Sequence, residues 1–198
     1  FLTPDKHYVG VAWYQKNVTI PSDWKGDRII LFLERPHIET TVWVNNREIG
    51  MQNSLCVPHV YDLTAAVAPG KSCRITIRID NRIKDINVGP DSHSITDQTQ
   101  GNWNGIVGRI ELQTTPKVHF SDIQIYPDLK DRKATVRISL YAPASAKASL
   151  QLSAESFNSD KKHSVPTVQQ NISVRSGDNK IEMELPMGEG FLTWDEFD

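Results

Sequence analysis

From Arg74 to Asp80 the chain alternates strictly, with Ile75, Ile77 and Ile79 in one set and Arg74, Thr76, Arg78 and Asp80 in the other. Successive side chains of a strand point to opposite faces, so this period of two dictates a strand with one side in a core and the other facing solvent. Nearly all of the chain reads the same way. Val11 to Ile20 is aromatic and β-branched, and Pro21-Ser22-Asp23 ends it. Arg28 to Arg35 is a continuous apolar run, which fits a strand covered on both faces. Glu39 to Val44 follows, and Asn45-Asn46 supplies a two-residue hairpin turn because Asn tolerates positive φ. Asp62-Leu63-Thr64 caps one short helical turn, Ala65 to Ala68, closed by Pro69-Gly70. Ile106 to Gln113 closes the first unit, whose strands sum to a β-sandwich with crossing connections.

Thr114-Thr115-Pro116-Lys117 marks a boundary, which divides the chain into domains 1–115 and 116–198. Beyond it, short strands recur about 10 to 14 residues apart, the spacing of an immunoglobulin-like sandwich. They are His119 to Tyr126, Thr135 to Tyr141, Ala148 to Ala154, Val168 to Val174 and Lys180 to Leu185. Pro127-Asp128, Ala142-Pro143 and Ser176-Gly177-Asp178-Asn179 read as the turns between them. These are about five strands where about seven are expected, so the second domain is read as incomplete.

One segment breaks the strand pattern. Arg82 to Asn104 is polar, without helix or strand period, and carries His93, Asp97, Gln98, Gln100, Asn102, Trp103 and Asn104. Loops this long in a compact domain are usually functional. Planar amides, an acid and an indole are the groups that grip a polyhydroxylated ligand, so carbohydrate is the expected partner and Asp97, Gln100, Asn102, Trp103 and Asn104 are the candidate contacts. A plainer reading stands beside this one, in which Trp103 plugs the sandwich end and Asp97 caps a turn. Trp13, Trp24 and Trp43 are expected in core or interdomain packing.

The net charge of −2, with both signs scattered, leaves no basic face to track phosphates, so nucleic acid is not an expected partner. No apolar run approaches the roughly 20 residues that cross a bilayer, and no membrane partner is expected. Cys56 and Cys73 have no metal-ligand spacing and are read as unpaired buried thiols, with a single bridge as the alternative; no metal and no cofactor are expected.

Several quoted segments, in order, carry a resemblance: Gly10-Val11-Ala12-Trp13-Tyr14-Gln15-Lys16, Ile20-Pro21 with Trp24 and Gly26, Val42-Trp43-Val44-Asn45-Asn46, Asp62-Leu63-Thr64, Asp80-Asn81 and Gly105-Ile106-Val107-Gly108-Arg109. Together they look like the N-terminal sugar-binding jelly roll of glycoside hydrolase family 2, which includes β-galactosidases, β-glucuronidases and β-mannosidases. His119 to Ile123 followed by Pro127-Asp128 is similar to the opening of that family's immunoglobulin-like second domain. The resemblance implies an all-β chain, a galactose-binding-like jelly-roll sandwich followed by an incomplete immunoglobulin-like sandwich.

It also implies what the chain does not do alone. The family's two catalytic glutamates lie on an α/β barrel, and no alternating strand and helix pattern of that kind occurs here. Retaining glycosidases need carboxyl groups about 5–5.5 Å apart, one with a raised pKa, and no pair here is singled out by spacing. The expected role is therefore one wall of a sugar site, supplied by the 82–104 loop to a missing catalytic barrel; the alternatives are a free-standing carbohydrate-binding module and a structural β-sandwich pair. The family's loop acid falls where this sequence has Thr99 and Gln100, with Asp97 nearby, and one extra residue precedes Arg109. Periplasmic or secreted placement is implied only by the habits of such enzymes. An unfinished second domain is expected to form a homodimer, swap strands or be the less stable half.

Overall fold

The computed structural model describes residues 8–55, 57–84, 103–157 and 160–193. The chain forms two compact units, Phe1–Pro116 and Lys117–Asp198.

In the first unit the strands are β1 (Val11–Thr19), β2 (Arg28–His37), β3 (Glu39–Val44), β4 (Arg47–Asn53), β5 (His59–Asp62), β6 (Ser72–Asp80) and β7 (Gly105–Thr115). They build two antiparallel sheets, one ordered β1-β6-β3-β4 and the other β5-β2-β7. The alternation in β6 does what it dictates: Ile75 and Ile77 enter a core with Val42, Val44, Ile29, Leu31, Leu33, Tyr61 and Leu63. Each such side chain contributes about 1.5–3 kcal/mol of burial. The apolar run in β2 is indeed covered on both faces, since Ile29, Ile30 and Leu31 are all buried. Asn45 turns the β3–β4 hairpin at φ 53°. The turn after β5 is a single one: Leu63 C=O accepts from the amides of Ala66 at 2.7 Å and Val67 at 3.1 Å.

Three expectations change in this unit and the next. Asp80 lies on the outer face of its sheet yet is completely buried, because Arg78, Arg82 and Lys84 fold over it. Trp13 is not in the core; it is 60% exposed and its ring lies beside that of Trp43, with centroids 5.6 Å apart. Its strand position points it outward, opposite Arg78 rather than Ile77. In the second unit, Pro127-Asp128 ends one strand and Gly177 to Asn179 begins another, where the sequence predicts turns.

The second unit contains β8 (His119–Asp128), β9 (Lys133–Ala142), β10 (Ala146–Leu152), β11 (Val168–Val174) and β12 (Gly177–Pro186). One sheet runs β12-β9-β8 and the other is the β10-β11 pair. Pro127 is tolerated because β8 is an edge strand, where a missing amide breaks no ladder. Val136, Ile138, Leu140, Ala142, Leu150, Val174 and Met183 form the core. Ile123 and Ile125 on β8 stand opposite Ile138 and Val136, on the core side of the sheet, but are 50% and 64% exposed.

Candidate functional site

The long loop leaves the four-stranded sheet at the end of β6 and enters the three-stranded sheet at the start of β7. The start of β1, the end of β2 and the start of β3 meet at the same end: Val11 and Glu39 both pair with Asp80, and His37 pairs with Gly105. Of the loop, Arg82, Ile83, Lys84, Trp103 and Asn104 are among the described residues.

Buried amides and an imidazole hold the exit stem. The Trp103 carbonyl accepts twice, from His37 Nδ1–H at 2.7 Å and from Asn81 Nδ2–H at 3.1 Å. Asn81, fully buried, also donates to Tyr8 C=O at 2.8 Å and accepts from the Gly10 amide at 2.9 Å. Asn104 Nδ2 donates to Gly10 C=O at 2.9 Å. The residues just ahead of β1 and the last of the loop are thereby tied to one another. The Trp103 indole leans on the His37 ring, with centroids 4.5 Å apart and planes 40° apart. His37 is 1% exposed, and burial pushes its imidazole below the usual range, against the opposing pull of the Trp103 carbonyl. Its Nε2 has no hydrogen-bond partner among the described residues.

Charge holds the entry stem. Arg78 and Arg82 guanidinium nitrogens lie 2.8 and 2.7 Å from Asp80, and Lys84 Nζ lies 2.9 Å from both Asp80 and Glu39. Arg78 also reaches Glu39 at 2.7 Å. Arg82 first, then Lys84, hold the Asp80 carboxyl far below the usual carboxylate range despite burial. Burial pushes Glu39 up, but Lys84 and Arg78 outweigh it and the net shift is downward. Both carboxylates are thus fixed as ions, and neither is the raised-pKa acid that glycoside cleavage requires. Among the described residues no group of three or more His, Cys, Asp and Glu is placed to hold a metal ion.

The extra residue before Arg109 has a place. Leu33 pairs with Ile110 and Arg35 with Val107, so Glu34 alone faces Gly108 and Arg109: a β-bulge. Gly108 sits at φ +87°, and a Cβ there would come within 2.6 Å of the Glu34 carboxylate. That carboxylate accepts from the Arg109 amide and Nε, both at 3.0 Å.

Of the residues expected at the site, Trp103 and Asn104 are brought to the sandwich end, each half-buried, and their polar groups are used to anchor the stem. Asp97, Gln100 and Asn102, with His93 and Cys56, lie outside the described residues. Cys73 is buried and free. Sequence reasoning missed His37, which sits in no motif. Asn81 was visible only as part of the Asp80-Asn81 pair, whose spacing says nothing of three buried bonds.

Residues 3–116 match the family model described as glycosyl hydrolases family 2, sugar binding domain. A β-glucuronidase of Paenibacillus borealis is 26% identical over 149 residues, which is 68% of this chain and 25% of the relative. One from Sus scrofa is 24% identical over 160 residues, 71% and 24% of the two chains. The crystal structure of Bacteroides uniformis β-glucuronidase matches with a TM-score of 0.70 at 21% identity, over 90% of this chain and 22% of that one. Faecalibacterium prausnitzii β-glucuronidase matches with a TM-score of 0.61 at 22% identity, over 88% and 32%. The chain spans about a quarter of the length of the curated relatives it matches. With more than half of it under that family model, and with the same all-β sandwich fold, the chain belongs to glycoside hydrolase family 2 through its sugar-binding domain.

Proposed function

We propose that this chain serves as the non-catalytic sugar-binding portion of a glycosidase that hydrolyses O-glycosyl bonds. The 82–104 loop supplies one wall of the substrate site to a catalytic barrel carried elsewhere in the full protein. The observation that carries this reading is the doubly anchored loop at the end of the sandwich: both stems are fixed by buried groups, and Trp103 stands where the loop rejoins the sheet. A long loop held this firmly at its base is a presenting device. Domains 1–115 and 116–198 divide the labour, the first bearing the loop and the second an immunoglobulin-like spacer. The relatives' names make β-glucuronides the first substrate class to test and β-galactosides the second.

The test is an NMR titration of the chain with glucuronic acid, galactose, mannose and glucose, following the Trp103 indole and the Asn102 and Asn104 amides. Flat spectra at millimolar sugar are expected, because half of the site belongs to the barrel. Saturable shifts would overturn the reading in favour of a free-standing carbohydrate-binding module. We further propose a second copy against the second unit. Ile125, Leu129, Phe157, Phe191 and Leu192 line an apolar groove of about 610 Å³, and Phe157 is 93% exposed. Sedimentation should show a homodimer at micromolar concentration, and a strict monomer would refute it.

A further inference from the structure

Resting on that reading of the loop, we propose that His37 is the positioning residue of the sugar-facing wall: its imidazole, held as the Nδ1–H tautomer by the Trp103 carbonyl, fixes where the Trp103 indole stands. The geometry is over-determined in a way that packing alone does not require. The Trp103 carbonyl is already satisfied by Asn81 at 3.1 Å, so the shorter 2.7 Å bond from His37 is not needed to pair it. What the second bond adds is direction. Two donors from different strands' ends fix a carbonyl in two dimensions where one would leave it free to swing about a single axis.

The choice of residue points the same way. His37 is 1% exposed, at the end of a strand whose other buried residues are Ile29, Ile30, Leu31, Leu33 and Pro36. A phenyl ring would fill the volume without burying a nitrogen. The imidazole instead buries Nε2 with no partner among the described residues, which is unfavourable and is tolerated where a polar group has a job. Nδ1 donates to the carbonyl, Nε2 has no acceptor among the described residues, and burial disfavours the charged form, so the ring is neutral with Nε2 as a bare lone pair. The neutral ring then lies 4.5 Å from the indole, so one side chain sets both the backbone and the ring of Trp103. Gly105, which follows the stem, pairs with the same histidine across β2 and β7.

Two variants and one measurement on the unaltered chain test this. Imidazole nitrogen NMR should show His37 neutral with Nδ1 protonated; an Nε2-protonated or charged ring would overturn the proposal. His37→Phe keeps the ring and loses the donor. It should leave the melting temperature within a few degrees, yet split or broaden the Trp103 indole signal and speed amide exchange at Gly105 at least tenfold. His37→Asn restores a donor at the Nδ1 position and should return the single sharp indole signal. A single unshifted Trp103 signal in His37→Phe, or no rescue in His37→Asn, would overturn it. If His37→Phe fails to fold, the tautomer measurement and His37→Asn still decide. None of these readouts contains sugar, so a failed sugar titration would count against the loop's function and leave the positioning result standing.

Discussion

Replacing Asn81 by alanine isolates the anchor of the loop, and its cost follows from the three bonds already described. The Trp103 carbonyl keeps His37, so there only a net hydrogen bond is lost, about 0.5–1.5 kcal/mol. The Tyr8 carbonyl belongs to an exposed residue and regains water, so its loss is of the same size, about 0.5–1.5 kcal/mol. The Gly10 amide is part-buried and loses its side-chain acceptor, costing about 1–3 kcal/mol. The sum centres on about 4 kcal/mol, or ~15 °C in melting temperature for a unit of this size. With a urea slope of about 1.5 kcal/mol/M, the midpoint should fall by ~2.7 M. Urea unfolding followed by tryptophan emission measures this, because Trp13, Trp24, Trp43 and Trp103 all report on the first unit. Asn81→Asp is the control. It keeps the acceptor for Gly10 but sets a carboxylate against two carbonyls, so it should be at least as harmful at neutral pH and partly recover in acid. A loss below about 1 kcal/mol in Asn81→Ala would refute the claim that these buried bonds fix the stem.

The acid limb carries two signatures. Burial holds His37 and His59 below the usual imidazole range, so the unfolded chain takes up protons first. Their contribution is complete above about pH 6.5 and is lost as pH falls below it. Asp80 is likewise depressed, but as a carboxylate; its contribution is complete above about pH 4 and lost below, and Asp80→Asn should flatten that limb in urea midpoints measured from pH 5 to 2. Gly108→Ala should cost about 1–3 kcal/mol by thermal melting, since φ +87° disfavours any side chain and the Glu34 carboxylate occupies the space. Trp13→Ala should change stability by less than about 1 kcal/mol, whereas Ile77→Ala should cost about 2–5 kcal/mol; equal losses would contradict the outward placement of Trp13.

The strands were legible because alternation is a local property: Ile75, Ile77 and Ile79 can face only one way once Arg78 faces the other. The hairpin at Asn45 was legible for the same reason, as a turn needs a residue that accepts positive φ. Asp80 was not, since its burial depends on Arg82 and Lys84 folding back from a loop that shows no periodicity. Trp13 misled because large aromatics are assigned to cores by size, and only its pairing with Arg78 reveals the outer face. At the site, Trp103 and Asn104 were picked out by chemistry, but the groups that hold them come from the ends of β2 and β6 and from Gly10 ahead of β1. That meeting is made by the crossing between sheets, which no spacing along the chain encodes.

The bulge at Gly108 acts as a phase break in β7. Inserting one residue into a strand ordinarily turns every later side chain to the opposite face. Here the surplus is absorbed at a single glycine, so Ile110 and Leu112 keep their register with Leu33 and Leu31 however the loop side is spaced. The sandwich is therefore insulated from changes in the length of what it presents. A change of spacing ahead of Gly108 is therefore not passed along β7 as a change of face, although Trp103 to Val107 stay tied to β2 on the loop side.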